Sequence, residues 1–272
     1  MTSGYDSADG LNVDLVGGVL RLELDRPEKR NALSDDMMAG MIDAIDAAGR
    51  DEAVRVILIS AAGEHFCSGF DILFRNTGTW DSPRPRVGSI QRRLPSQAHR
   101  LIPLILGTQT PVVCRVQGWC AGIGLNLALA ADFTVAADTT RFWMPFVDRG
   151  FTPDSGATWL LPRRIGEVRA REMLLLARVV DAPEASNWGM VHRIVPSASL
   201  DRAVDEVVQQ LARSATVALG LTKWLINSGR EQPLIDHHQN EALAMELSSR
   251  SEDFREGLAA FREKRDPEFR GR

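Results

Sequence analysis

The first apolar positions of the chain alternate. Leu20, Leu22 and Leu24 are separated by Arg21 and Glu23, a period of two that predicts a half-buried β-strand. Gly17-Gly18 divides this run from Asn12-Val13-Asp14-Leu15, so the two read as a hairpin. After a polar loop at 26–31 the period changes. Met38, Met41, Ile42 and Ile45 stand at helical spacing behind Ser34, which is suited to cap a helix, and Asp35 and Asp36 fall in the first turn, where the helix dipole favours anions. Residues 54–60 and 111–116 are continuous apolar, β-branched runs and 133–136 is a shorter one; each predicts a buried strand. Residues 118–124 are glycine-rich and lead into a helix expected over 125–131. A further helix is expected over 90–106, after a proline-bearing stretch at 76–88 that reads as a mobile surface loop. Strand, glycine turn and helix recur, which argues for α/β architecture with crossover connections.

From residue 167 onward the pattern is helical, with candidates at 173–176, 182–188, 200–212 and 217–227 and a long one at 232–265, broken near Arg250-Ser251. This divides the chain into a core over 1–200 and a helical C-terminal region over 201–272. Trp143, Trp159 and Trp188 read as packing residues, and His237-His238 as facing solvent.

Composition narrows the function more than the fold. The 272 residues are 44% hydrophobic and 25% charged, with a net charge of −4. That is ordinary globular composition, and it excludes a strongly basic nucleic-acid binder. Cys67, Cys114 and Cys120 form no CxxC pair, so neither a disulfide framework nor a zinc site is expected; no metal and no cofactor are called for. The first ten residues lack the pattern of a signal peptide. The most apolar stretch, 122–137, is interrupted by Asn126 and Asp132 and is too short to span a bilayer. With this sparse, unpaired Cys usage a cytoplasmic protein with no membrane partner is expected. The 36 carboxylates leave open which of them, if any, does chemistry.

Two glycine turns share a physical logic. Ser68-Gly69-Phe70-Asp71 follows a predicted strand, and Ala121-Gly122-Ile123-Gly124 follows another and opens a helix. Glycine lets the backbone turn tightly and approach a ligand, and a helix N-terminus presents free N–H groups. Two such groups from separate loops can converge on one developing oxyanion. Taken alone, both segments can equally be tight α/β turns. Neither is a dinucleotide fingerprint or a P-loop.

Together, Arg26-Pro27 with Asn31-Ala32-Leu33, then Phe66-Cys67-Ser68-Gly69-Phe70-Asp71, then 118–124 with Ala131-Asp132, resemble the enoyl-CoA hydratase/isomerase (crotonase) superfamily, in order and spacing, over nearly the whole chain. The resemblance implies a superhelical core of ββα units, a helical C-terminal part that assembles a homotrimer or hexamer, and an acyl-CoA thioester as substrate. Its thioester oxygen would be held by the backbone N–H groups of Phe70 and Ile123, and Phe70, bulkier than the usual alanine, would also shape the acyl pocket. Lys29, Arg30, Ser68, Gly69, Asp71 and Gly122 match parts that hold CoA, and Lys264 resembles a C-terminal lysine that reaches a neighbour's CoA.

The resemblance also points to what is missing. Hydratases of this family flank a water with two glutamates, and the matching positions here are Asn126 and Phe146. Hydration needs a base for the water and an acid for the carbon, which neither side chain supplies. Further on, Gly150 to Gly156 frames Asp154, followed by Thr158-Trp159-Leu160-Leu161-Pro162-Arg163. This resembles the isomerase branch, and above all the 1,2-epoxyphenylacetyl-CoA isomerases of phenylacetate degradation. An acidic residue at this position shuttles a proton in that branch, and an apolar pocket including Phe146 and Trp143 would raise its pKa towards that of a working base. Asp148 is the rival carboxylate, and Asn126 a candidate to orient substrate or water. An enoyl-CoA isomerase is therefore expected. The alternatives are a hydratase using Asp154 or Asp148, and a non-catalytic acyl-CoA or RNA binder, the last disfavoured by the negative charge.

Overall fold

The computed structural model describes residues 4–71, 86, 88–96 and 98–272. The expected loop at 76–88 lies almost wholly outside the described residues, as does most of 71–95, the stretch from which a lining of the acyl pocket is expected.

The hairpin forms as β1 (Leu11–Val16) and β2 (Val19–Leu24), antiparallel, with Val16 opposite Val19 across the two glycines. Both glycines have positive φ, 59° and 80°, as a tight two-residue hairpin turn demands. β3 (Val56–Ala61), β4 (Val112–Val116), β6 (Phe133–Ala137) and β9 (Arg193–Val195) add in parallel, giving the sheet order β1-β2-β3-β4-β6-β9. The second layer of strands is built from very short pieces. β5 (Trp119–Ala121) and β7 (Arg141–Trp143) follow β4 and β6 after tight bends and pair with each other in parallel, and β8 (Val180–Asp181) closes the edge.

The runs at 54–60 and 111–116 are continuous because both faces of their strands are covered, as is usual for parallel strands. Ile57 and Ile59 face the main core with α1 (Asp35–Ala48) and α2 (Ala98–Gly107). Val56 and Leu58, together with Val113 and Val135, face a second core closed by Leu200, Ala203, Val204, Val207, Val208 and Leu211. Those six residues, at helical spacing, form one stripe of α7 (Leu200–Arg213).

Between them lie α3 (Ile123–Ala130), α4 (Ala157–Ile165), α5 (Glu167–Leu175) and α6 (Ala182–Asn187). The chain ends in α8 (Thr216–Ser228), α9 (Leu234–Ser248) and α10 (Glu252–Glu263). The expected break at Arg250-Ser251 is present because Ser251 starts a new helix, its hydroxyl accepting from the N–H of Phe254. The helix expected over 90–106 instead has α2 as its continuous part. His237 is not solvent-facing: its side chain is 15% exposed and packs on the turn at Gly229. No helix among the described residues is long and apolar enough to cross a membrane.

Candidate active site

The two glycine turns touch. Phe66 and Cys67 donate backbone N–H groups to the carbonyls of Gln117 and Trp119, and Ala121 donates back to Cys67. This short parallel ladder carries each chain into its turn. A Cβ on Gly122 would lie 3.4 Å from the Cα of Gly69. Gly122 adopts φ 54° and ψ −125°, and Gly69 has φ 108°, backbone conformations that residues with a side chain rarely enter. Gly124 is constrained by contact instead. A Cβ there would sit 2.6 Å from the Cβ of Cys67 and 3.0 Å from its carbonyl oxygen, so the absent side chain is what lets α3 start against the other turn.

The turns present their amides differently. Ile123 is the first residue of α3, where an N–H has no intrahelical acceptor. Phe70 forms a parallel bridge to Leu33 through its neighbours: Leu33 donates to Gly69 O at 2.9 Å and Asp71 donates to Leu33 O at 3.0 Å. In that pattern the amide of Phe70 is directed away from Leu33. The amide of Gly122 is already used, donating to Trp143 O at 3.0 Å.

A second set of contacts ties the loop at 26–31 to the Gly69 turn. The Arg26 guanidinium pairs with Asp71 at 3.0 Å and donates to Ala32 O, and Lys29 reaches the same carboxylate at 3.4 Å. Asn31, fully buried with φ 54°, accepts from Arg26 N–H and donates to the carbonyls of Ala62 and His65. Arg26 and Asn31 thus set the loop's position, a role the sequence reading did not assign to them. Two expectations change accordingly. The carboxylate of Asp71 is bound within the loop pair. The N–H of Ser68 donates to Arg30 O and its hydroxyl to Lys29 O, so its donors are spent on the protein. Lys29, Arg30 and Lys264 are exposed.

Asp154 lies in the turn before α4, half-buried, with the Ser155 hydroxyl donating to its carboxylate at 3.1 Å. Asn126, one turn into α3 and wholly buried, donates from Nδ2 to the backbone carbonyl of Asp154 at 3.3 Å. The structure thus brings together residues 126 and 154 with the helix that begins at Ile123. The Oδ1 of Asn126 is buried without a partner. Asp148 stands apart, exposed on a short turn at Val147–Arg149. Phe146 is buried, edge-on to Phe151. Trp143 departs from the expected pocket role. Its ring packs on Trp119 and under Arg149 and its indole N–H donates to Ala177 O, so its link to the glycine turn is the carbonyl that holds Gly122. Cys67 is no nucleophile, because burial pushes its thiol up to about 12.

The family model for enoyl-CoA hydratase/isomerase matches residues 15–272. The chain belongs to the enoyl-CoA hydratase/isomerase family. It is 38% identical to the 1,2-epoxyphenylacetyl-CoA isomerase of Escherichia coli over 256 residues, 94% of this chain and 96% of that protein. It is 31% identical to the crotonyl-CoA hydratase of Syntrophomonas wolfei, across 91% of this chain and 93% of that one. The crystal structure of an enoyl-CoA hydratase from Bacillus anthracis superposes with a TM-score of 0.88 at 28% identity, covering 97% of this chain and all of that one. The stacked strand layers are the crotonase fold, and this enoyl-CoA hydratase/isomerase family member is an acyl-CoA-processing enzyme.

Proposed function

We propose that the enzyme is an enoyl-CoA isomerase that shifts a double bond, or rearranges a ring, on a CoA thioester. The observation that carries this reading is the pairing of Asp154 with Asn126 beside the start of α3, with no carboxylate at 126 or 146 to handle a water. A single carboxylate is enough for isomerisation. Asp154 takes a proton from one carbon of the acyl chain and returns it to another. The intermediate is a dienolate with its charge on the thioester oxygen, and the amides of Phe70 and Ile123 stabilise it, each such donor being worth about 3–4 kcal/mol. Lys29 and Arg30 hold the CoA portion.

Assembly into a trimer or hexamer, with Lys264 offered to a neighbour's CoA, belongs to the same reading. Large apolar side chains left exposed on the C-terminal helices support it, among them Ile226, Leu234, Ile235, Met245 and Phe261. The test is to supply 3-enoyl-CoA and 2-enoyl-CoA to the wild type and to Asp154→Asn. Isomerisation of the 3-enoyl substrate is expected, reduced at least about 100-fold in the variant with acyl-CoA binding retained. Hydration of 2-enoyl-CoA that survives Asp154→Asn overturns the assignment.

A further inference from the structure

Away from the glycine turns, three guanidiniums share one cleft. Arg163 and Arg164 are adjacent in the last turn of α4, and Arg230 enters from the turn Gly229–Glu231 between α8 and α9. With Leu129 and Leu160 they line a cavity of about 270 Å³. Arg163 lies over the Trp159 ring at 4.1 Å, and Arg230 lies 5.7 Å from the centroid of the same ring. Arg164 donates to Leu129 O at 2.7 Å, near the C-terminal end of α3.

Among the described residues, the acidic groups recorded against these side chains do not balance this charge. Glu231 comes only within 3.9 Å of Arg163. Asp132, which attracts Arg164, is held by Lys223 at 2.7 Å. Arg163, Arg164, Arg230 and Lys223 therefore stand against Glu231 and Asp132, an excess of two positive charges in a protein whose net charge is −4. Like charges this close repel. Burial and the Arg230 guanidinium both pull Arg164 below the usual guanidinium value.

We propose that this cleft is a binding site for a small phosphate-bearing anion. Guanidinium forks match the geometry of phosphate oxygens and bind them in pairs. Trp159 holds two of the three forks, while Leu129 and Leu160 give an apolar floor for an organic group carrying the phosphate. The cavity has room for more than one phosphoryl group. The cleft lies at the opposite end of α3 from Ile123, a helix of eight residues and so about 12 Å long. It is thus distinct from the glycine turns and does not depend on the isomerase reading.

Pyrophosphate titrated into the full-length enzyme by calorimetry, at constant ionic strength set with chloride, tests the proposal. The comparison is Arg163→Ala/Arg230→Ala, with Arg230→Ala alone as a second variant on an exposed turn in case the first does not fold. Arg164 is kept because it holds the end of α3. Saturable binding is expected in the wild type, weakened at least about tenfold for each guanidinium removed. Binding of butanoyl-CoA is expected to be the same in all three proteins. Absence of saturable pyrophosphate binding, or equal binding by wild type and variants, overturns the proposal. Parallel weakening of butanoyl-CoA also overturns it, by making the cleft part of the acyl-CoA site.

Discussion

Asn126 fixes Asp154 through the backbone, donating from Nδ2 to its carbonyl at 3.3 Å from inside a helix with no exposed residue. Turning the amide over would place Oδ1 against that carbonyl, so the contact also decides which way Asn126 faces. Asn126→Asp removes the donor and sets an anion against the carbonyl. The expected result is a loss of about 1–3 kcal/mol in unfolding free energy and a fall in kcat on 3-enoyl-CoA with KM little changed. Asn126→Ala loses the same donor but also the unpartnered acceptor, so it should cost less stability while still lowering kcat. Denaturant unfolding and steady-state kinetics on the two variants check this. A stability loss with kcat unchanged would mean that the contact only holds the fold.

Gly124→Ala puts a methyl group 2.6 Å from the Cβ of Cys67, in a place where neither backbone can yield without moving an amide of the proposed oxyanion hole. A misplacement near 1 Å costs roughly 100-fold in rate. A kcat loss of that order is expected, along with a lower Tm. Adding Cys67→Gly removes the struck atom and should recover part of both, a coupling that a double-mutant cycle measures. Full activity in Gly124→Ala would show that the two turns do not need this contact.

The Arg26–Asp71 pair joins two loops that are remote in sequence, with both side chains largely covered. Arg26→Met keeps the stem and removes the fork, taking from Asp71 its better-covered cationic partner of the two, Lys29 being the more exposed. The expected stability cost is about 1.5–3 kcal/mol. Because this pair positions the loop assigned to CoA, KM for acyl-CoA should rise more than kcat falls. Equal KM in the variant and the wild type would separate the loop pair from CoA binding.

Lys223 makes stability depend on pH. Burial holds its ammonium below the ordinary lysine value of 10.5, with Asp132 opposing. Between the folded pKa and 10.5 the unfolded chain therefore binds more protons than the folded one, and the contribution of this group to stability rises with pH across that window. Tyr5 acts oppositely above pH 10, since burial raises its pKa. The prediction is thus a difference: the unfolding free energy of wild type minus that of Lys223→Met should increase from pH 8 to pH 10. A flat or falling difference in urea melts would refute it.

Much of the scaffold was legible because periodicity records burial. The alternation at Leu20, Leu22 and Leu24 and the continuous run at 54–60 each announced how many faces of the strand are covered, and the stripe on α7 was visible in its spacing. β5, β7 and β8 were not, since two or three residues carry no period. The glycine turns were readable as turns, but their mutual contact joins residues 53 positions apart and leaves no local trace. The same holds for Asn31, whose partners are Ala62 and His65, and for Trp143, whose carbonyl rather than its ring serves the site. Asp154 stood out only through a family resemblance, because a carboxylate in a Pro/Gly turn looks the same whether it caps the turn or carries a proton.

The contact between Gly69 and Gly122 separates two inheritances. The amides on either side of it are backbone, held by turns that tolerate almost no substitution, whereas Asn126 and Asp154, joined beside the start of α3, are ordinary side chains. On the proposed reading, exchanging a side chain at 126 or 154 changes which groups can move a proton while leaving the paired backbone turns untouched.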